Sequence, residues 1–154
     1  MEYSDELESL VDSGYKPSIA LFSIEKPAIP TGYLYHFSTS SGLLYEVRFA
    51  RKQDNILGMV VNFSVLSDEF EHEYAMTNRG EVYSVIATVI EIIRMFHCEH
   101  HLTDSYEFHG EFKDNEEKET ASIRTRLYLR YAQKILSKSW KAQLTGNKVV
   151  LRKM

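Results

Sequence analysis

The sequence predicts an α+β fold, in which an antiparallel-rich sheet carries two helices packed on one face. Three observations support this class: apolar residues that alternate in several short segments, two longer segments with helical periodicity, and a glycine-centred turn near the C-terminus. The predicted element order is β-β-β-(β)-α-β-α-β-β. Placing both helices on the same side of the sheet buries their apolar faces most economically.

The predicted domain begins at residue 32. The preceding residues hold all three prolines of the 154-residue chain together with several acids, and prolines interrupt helices and strands. We therefore expect residues 1–31 to form an acidic, loosely structured lead-in, with a short helix from Asp5 to Asp12. Residues 32–154 are expected to form one α+β domain.

The first strands follow from the alternation of side chains. Apolar residues alternate over residues 33–37 and again over 45–49, and the intervening TSSG supplies a turn, which is the pattern of a β-hairpin. A third strand is predicted over residues 56–66. The more polar stretch FEHEYAM, residues 70–76, is predicted to form a fourth strand at a sheet edge.

The stretch TNRGEVYSVIATVIEIIRMFHC, residues 77–98, has the clearest helical pattern. Asn78 followed by Glu81 resembles a capping box, which satisfies free N–H groups at a helix start. The face predicted to pack on the sheet consists of Val82, Val85, Ile86, Val89, Ile90, Ile92, Ile93 and Phe96. The opposite face is predicted to consist of Ala87, Thr88, Glu91 and Arg94.

The C-terminal third is predicted to add a strand, a second helix and a closing hairpin. Apolar and polar residues alternate in SYEFHGEF, residues 105–112, as in a half-buried strand. Residues 122–136, SIRTRLYLRYAQKIL, have the period of a helix that is mostly buried. The hairpin is predicted to turn at residues 145–147, TGN.

Positive charge is concentrated at the C-terminal end, although the formal net charge of the chain is −4. Residues 118–154 hold ten Lys or Arg residues and one acid, whereas the other 117 residues hold eight Lys or Arg residues and twenty-one acids. Such asymmetry indicates either a surface for nucleic acid or two halves that neutralise each other in the fold. Mutual neutralisation is the leading expectation, because one small domain leaves little room to separate the halves.

Composition also bears on the compartment. Cys98 is the only cysteine, which excludes an internal disulfide and indicates a reducing environment. The first ten residues are acidic and lack the basic and apolar regions of a secretory leader. The longest apolar-rich run, residues 82–96, contains two charges and is too short to span a bilayer. These features predict a soluble protein of the cytoplasm, or of a virion if a phage encodes it, without membrane association.

The basic residues of the second helix and the hairpin are the main candidates for binding an anion or a partner. Arg126, Arg130 and Lys134 fall on one polar stripe, which is either a solvated face or a phosphate-binding surface. Trp140 beside Lys141 could stack on a nucleic-acid base, or the ring could pack in the core as terminal tryptophans often do.

Arg124 is predicted to differ from the other cations, because helical geometry places it inside the apolar arc. An unpaired buried charge is costly, so the guanidinium needs a partner. It is predicted either to pair with a strand carboxylate, Glu107 or Glu111, or to hold an external anion at the helix start.

A metal site and an enzymatic role are weaker hypotheses. The weak metal candidates are His97, Cys98, His101 and His109, whose side chains suit zinc but whose spacing matches no zinc module. No cofactor is predicted. The patterns HFS at His36 and HLT at His101 echo the paired motif of two-histidine phosphoesterases, which requires both histidines on inward strands. A small metal-dependent nuclease or phosphoesterase, using these histidines or His109 beside Arg124, is therefore the third alternative.

Three stretches resemble a diffuse group of uncharacterised small α+β proteins encoded by bacteriophages and by some bacteria. They are GYLYHFSTSSGLLYEVRF, TNRGEVYSVIATVIEIIRMF and RTRLYLRYAQKI, the last followed by a glycine-centred hairpin. The resemblance covers about residues 32–153 and implies a shared fold, with the run from Arg124 to Arg130 as a signature. It implies no activity, cofactor or catalytic residue.

The leading functional hypothesis is a non-enzymatic binding protein, such as a phage accessory or virion-associated factor. Its motivation is the lack of a catalytic constellation together with abundant aromatic and charged residues, and its partner is expected to be another protein or a second copy of the chain. The alternative is nucleic-acid binding through the basic C-terminal helix and hairpin, which a steep salt dependence would reveal. The cations concerned are Arg126, Arg130, Lys134, Lys138, Lys141 and Lys148.

Overall fold

The computed structural model describes residues 21–66, 79–110 and 121–154. The helix predicted over residues 5–12, the strand predicted over 70–76 and the cap predicted at Asn78 lie outside these ranges. The elements within them are β1 (Ile24–Glu25), β2 (Leu34–Ser38), β3 (Leu44–Arg51), β4 (Gly58–Val65), α1 (Arg79–Glu99), β5 (Ser105–Phe108), α2 (Ile123–Ile135), β6 (Trp140–Thr145) and β7 (Lys148–Lys153).

The strands form one seven-stranded sheet in the order β1-β2-β3-β4-β5-β7-β6. Neighbouring strands are antiparallel except β4 and β5, which are parallel and are separated in the chain by α1. A parallel pair requires a long crossover of this kind, whereas the antiparallel pairs β2–β3 and β6–β7 need only short turns. The predicted α+β fold with an antiparallel-rich sheet is confirmed.

Both helices cover the same face of the sheet, as the sequence predicts. Tyr35, Val47 and Met59 come from alternate strand positions and lie in one apolar cluster with residues of α1 and α2. The opposite face, called the open face below, carries the intervening polar residues. It includes Glu46, Arg48, Glu107, Lys148 and Arg152.

Helix α1 is buried more completely than its amphipathic pattern predicts. The predicted apolar face is buried, but Ala87, Thr88 and Glu91 on the opposite side are buried too. Part of the reason is that the segment preceding β1 crosses this side, where Phe22 N–H donates a hydrogen bond of 3.1 Å to Thr88 Oγ1. Among the described residues, no helix is long and apolar enough to cross a membrane.

The sheet extends further towards the N-terminus than the predicted domain. Ile24 and Glu25 form β1 and pair with β2, although both lie in the predicted lead-in. The Phe22 ring also stacks on Phe37, with 6.0 Å between ring centres. Alternation could not predict this two-residue strand, because a periodic pattern needs about four residues to be recognised.

Candidate functional site

The cationic stripe of α2 has the predicted orientation. Arg126, Arg130 and Lys134 are exposed, whereas the residues on the other side of the helix are buried. Within the described part of the chain, none of the three makes an ion pair. A solvated helix face has the same arrangement, so exposure alone does not distinguish a binding surface from solvated charge.

Arg124 is not the buried charge that the sequence predicts. Its side chain is half-buried, and it makes no ion pair with any described residue. Its predicted partner Glu107 pairs with two lysines instead, and Glu111 lies outside the described residues. Thr125 is the residue of this turn that faces the core, while the Arg124 stem packs against Gly110.

The start of α2 is fixed by a buried polar network. Ser122 caps the helix, because its Oγ accepts a hydrogen bond of 3.0 Å from Thr125 N–H. Ser122 Oγ also donates to the Gly110 carbonyl at 2.7 Å, and Gly110 N–H donates to Thr125 Oγ1 at 2.8 Å. Asn147 Oδ1 accepts from Ser122 N–H at 2.8 Å. This network joins the helix start to Gly110, two residues beyond β5, and to the β6–β7 turn.

Trp140 packs inside the protein and is 7% exposed. Its ring lies 5.5 Å from the His97 ring and 6.2 Å from the Tyr106 ring, and Lys153 Nζ is 5.9 Å from its centre. A buried ring cannot stack on a nucleic-acid base, so the stacking prediction for Trp140 is wrong. The alternative, that this tryptophan packs on the core, describes the structure.

The predicted metal candidates do not assemble. The described residues contain no group of three or more His, Cys, Asp or Glu side chains that could hold a metal ion. The candidates concerned are His97, Cys98, His101 and His109. His97 Nδ1 instead forms a hydrogen bond of 2.9 Å with Tyr106 Oη. Burial, together with the positive charge of Lys153 and the nearby His101, lowers the pKa of His97, so this ring is neutral at physiological pH.

The histidine arrangement of a two-histidine phosphoesterase is also absent from the described residues. His36 lies on the open face, where Nε2 is 3.6 Å from Glu46 Oε1, and not on the inward face. His101 lies in the turn after α1 and is exposed. The two histidines therefore do not occupy the paired inward strands that this chemistry requires.

A cleft of about 450 Å³ lies between residues 26–30 and the C-terminal half of α1. Tyr35, Arg94 and Glu99 contribute to its lining. Burial and the adjacent Glu99 carboxylate raise the pKa of Tyr35 to about 12, so the phenol stays protonated. Arg94 donates to Glu91 through Nε at 2.8 Å and Nη2 at 2.5 Å. Because Glu91 already engages the Arg94 guanidinium, this cation is less available to an anion in the cleft.

The strongest concentration of charge on the open face surrounds Glu107. This residue of β5 is 8% exposed. Lys52 Nζ is 2.9 Å from Glu107 Oε2, and Lys148 Nζ is 3.1 Å from Oε1. Burial alone would raise the pKa of Glu107, but the hydrogen bonds from the two lysines outweigh burial and lower the pKa. Both carboxylate oxygens are engaged, so Glu107 cannot act as a general base.

Lys141 and Arg152 add two cations beside this centre. The β6–β7 register places them directly opposite each other on the open face, and both are exposed. Like charges directly opposite across two strands are destabilising. In the described ranges neither side chain has an ion pair. Arg152 also lies close enough to Lys52 to oppose the protonation of that lysine.

We call these five residues the open-face cluster; they are Lys52, Glu107, Lys141, Lys148 and Arg152. Two of its cations, Lys52 and Lys148, contact the buried carboxylate, and the other two, Lys141 and Arg152, lie on the same face of β6 and β7. Among the described acids, Asp54 also approaches, with Oδ1 at 3.9 Å from Lys52 Nζ, but its side chain is 81% exposed and the interaction is therefore weak. The arrangement can attract carboxylates or phosphates by Coulomb forces, and it lacks a nucleophile paired with a base.

The sequence predicts Lys141 as a site residue and Lys148 as a nucleic-acid contact, but it does not predict a role for Lys52 or Arg152. A partial signal exists in KVVLRK, residues 148–153, because the strand period places Lys148 and Arg152 on one face. The position of Lys52 depends on the pairing of β3, β4 and β5, which no local pattern indicates.

Comparison of the chain with models of protein families, with curated proteins and with solved structures finds no match. We therefore infer the function from the geometry of the open-face cluster and of the α2 stripe.

Proposed function

We propose that this protein is a non-enzymatic binding protein and that its open-face cluster recognises an acidic partner protein. A phage accessory or virion-associated role, implied by the resemblance to phage-encoded proteins, is part of the same proposal.

The proposal depends on one observation, which is that Lys141 and Arg152 lie directly opposite each other on paired strands. Side chains placed directly opposite on paired strands interact, and a like-charged pair costs stability. An anion bound beside the pair would relieve this repulsion, and none of the ion pairs among the described residues involves Lys141 or Arg152. The nearest buried carboxylate, Glu107, is already shared by Lys52 and Lys148 and is not available for this purpose.

The charge of the surrounding chain supports an acidic partner. Residues 121–154 contain nine Lys or Arg residues and no Asp or Glu. Among the described residues, only Lys148 of these nine makes an ion pair. A surface of one sign steers an oppositely charged partner towards it and raises the association rate.

Nucleic-acid binding through the α2 stripe is the second candidate. The observation that favours it is the exposure of three cations on successive helical turns. Proteins that bind single strands usually add aromatic rings on which bases stack, and the burial of Trp140 removes the ring predicted for that purpose. The acidic-protein proposal is therefore preferred.

Charge reversal at two surfaces tests the proposal. The probe is a fluorescein-labelled peptide rich in glutamate, and its binding to the full chain is followed by fluorescence anisotropy at low and physiological salt. One variant combines Lys141→Glu with Arg152→Glu in the open-face cluster. The matched control combines Arg126→Glu with Arg130→Glu in the α2 stripe, so that both variants change the net charge equally.

We expect the cluster variant to lose at least ~10-fold in affinity, which corresponds to about 1.4 kcal/mol, and the stripe variant to lose much less. Equal losses in both variants would show that only net charge matters and would contradict the proposal. A single-stranded DNA probe that binds more tightly than the peptide, with a steep salt dependence that the stripe variant abolishes, would favour the second candidate instead.

A further inference from the structure

Among the described strands, β6 forms an open edge of the sheet. It lies at one end of the strand order, and in the described part of the chain β7 is its only strand neighbour. Four of its six residues are exposed, and none is a proline that would block pairing. The opposite edge, β1, is only two residues long. An open edge of this length is a ready template for another strand.

The register shows which backbone groups face outwards. Met154 N–H donates to Ser139 O at 2.7 Å, which makes Ser139 and Met154 a hydrogen-bonded pair of the ladder. Bonded and non-bonded pairs alternate in an antiparallel ladder, so Ala142 and Leu144 belong to non-bonded pairs. Their N–H and C=O groups therefore point away from β7, towards the free edge.

The hairpin holds this edge in place. Gly146 has a φ of 58° at the first central position of a two-residue turn, which is the position that glycine occupies in type II′ hairpins. At the other end of β6, Trp140 is buried and its N–H donates to Ser137 O at 3.2 Å. The strand is thus fixed at both ends before any partner arrives, which lowers the entropic cost of adding a strand.

The positive charge around the edge favours an acidic segment as the added strand. Lys141 lies on β6, Arg152 is its opposite residue on β7, and Lys138 precedes the strand; all three are exposed. A second copy of the chain paired through β6 would add further cations and no carboxylate to this edge, because residues 121–154 contain no Asp or Glu. An extended segment that carries acidic residues would instead place its carboxylates beside them.

We propose that the β6 edge accepts an extended acidic segment of the partner protein as an additional strand. Backbone hydrogen bonds to Ala142 and Leu144 would hold the segment, and Lys141 with Arg152 would select acidic side chains at alternate positions. The inference rests on the proposed function and specifies how the acidic partner binds. It differs from that function in requiring an extended backbone, not negative charge alone.

A proline substitution separates the backbone contribution from the side chain. Leu144→Pro removes an N–H that faces the free edge and leaves the ladder to β7 unbroken. Leu144→Thr is the matched control, because it also removes the leucine side chain but keeps the N–H. The probes are a labelled peptide of alternating glutamate and valine, the same peptide with lysine for glutamate, and a glutamate peptide of equal charge interrupted by prolines.

We expect the alternating acidic peptide to bind the unmodified chain at least ~10-fold more tightly than the proline-interrupted peptide and than the lysine peptide. Leu144→Pro should remove this preference and Leu144→Thr should keep it. Equal binding of the two acidic peptides, unaffected by Leu144→Pro, would overturn strand addition but leave the proposed function standing. No binding of either acidic peptide would overturn both.

Hydrogen exchange of the unmodified full chain provides a second measurement that does not depend on the folding of a variant. The alternating acidic peptide should slow exchange of the Ala142 and Leu144 amides and leave the Gln143 amide, already bonded to β7, unchanged. Unaltered exchange at Ala142 and Leu144 under saturating peptide would overturn the inference. A chain that dimerises in sedimentation and loses the dimer on Leu144→Pro would also overturn it, because a second copy would then occupy the edge.

Discussion

Lys141 and Arg152 are directly opposite each other on adjacent antiparallel strands, exposed on the same face of the sheet. Cross-strand neighbours are close enough for their charges to interact, so this pair costs stability. The nearest buried acid, Glu107, is occupied by two other lysines. An external anion bound beside the pair would offset this loss of stability. Four consequences of the structure can be measured.

Lys141→Glu is expected to make the protein more stable and to weaken its binding. The new carboxylate would face Arg152, and exchanging a like-charged cross-strand pair for an opposite pair is expected to raise the free energy of unfolding by ~0.2–1 kcal/mol. Urea unfolding at low salt measures the change, with Lys141→Gln as the control that removes the charge alone. A destabilised Lys141→Glu protein would contradict the proposed repulsion.

The stability of the protein at acidic pH is expected to depend on whether Glu107 is ionised. The pKa of Glu107 in the fold is lowered below its ordinary value of 4.5, so its stabilising contribution is fully present above pH 4.5. The contribution should disappear as the pH falls below 4.5 through the folded-state pKa. Glu107→Gln should be less stable at neutral pH, by on the order of 1–3 kcal/mol, and should depend less on pH in this range. Parallel acid-unfolding curves of the two proteins would refute this role.

His97 is expected to add a second pH dependence at higher pH. Its pKa in the fold is lowered from the ordinary 6.5, so the folded state binds a proton less readily than the unfolded chain does. Its contribution is therefore fully present above pH 6.5 and is lost as the pH falls below 6.5 towards the folded-state pKa. Thermal unfolding of His97→Gln against pH should show a flatter slope there, and His109→Gln, at an exposed histidine, is the control. A slope that His97→Gln leaves unchanged would assign the dependence to another group.

Gly110→Ala is expected to destabilise the fold. A Cβ at this position would overlap the Arg124 side chain and lie 3.1 Å from the Arg124 carbonyl carbon. The helix start cannot easily move away, because Ser122 and Thr125 bind the Gly110 backbone. Overpacking of this kind costs about 1–3 kcal/mol in unfolding free energy. Arg124→Ala removes a half-buried side chain and should lower the free energy of unfolding less than Gly110→Ala does. Chemical denaturation measures both variants. A larger loss in Arg124→Ala would contradict the expected overpacking at Gly110.

The strands and helices that depend on local periodicity could be predicted from the sequence. Alternation in residues 33–37 and 45–49 corresponds to β2 and β3, and the apolar face of α1 is buried as predicted. The far side of α1 could not be predicted, because its burial depends partly on a segment that is distant in the chain and binds Thr88.

The candidate site could be predicted only in part, because it depends on pairing between strands that are distant in the sequence. Lys52 follows β3, Glu107 is in β5 and Lys148 is in β7, and only the sheet order joins them. The prediction that Arg124 lies in the core is wrong because a helical wheel cannot show that the Arg124 stem packs against Gly110 while Thr125 faces the core. The direction of one side chain in the first turn of a helix depends on the residues that pack against that turn from other parts of the chain.

The most direct test of the central claim, that the open-face cluster binds an acidic partner, is an amide chemical-shift titration of isotope-labelled full chain with the glutamate-rich peptide. We expect the claim to be supported by shifts that are largest at Lys141, Lys148, Arg152 and their strand neighbours and that decrease as salt is raised. Shifts confined to Arg126, Arg130 and Lys134 on α2, or to the cleft beside Tyr35, would contradict it.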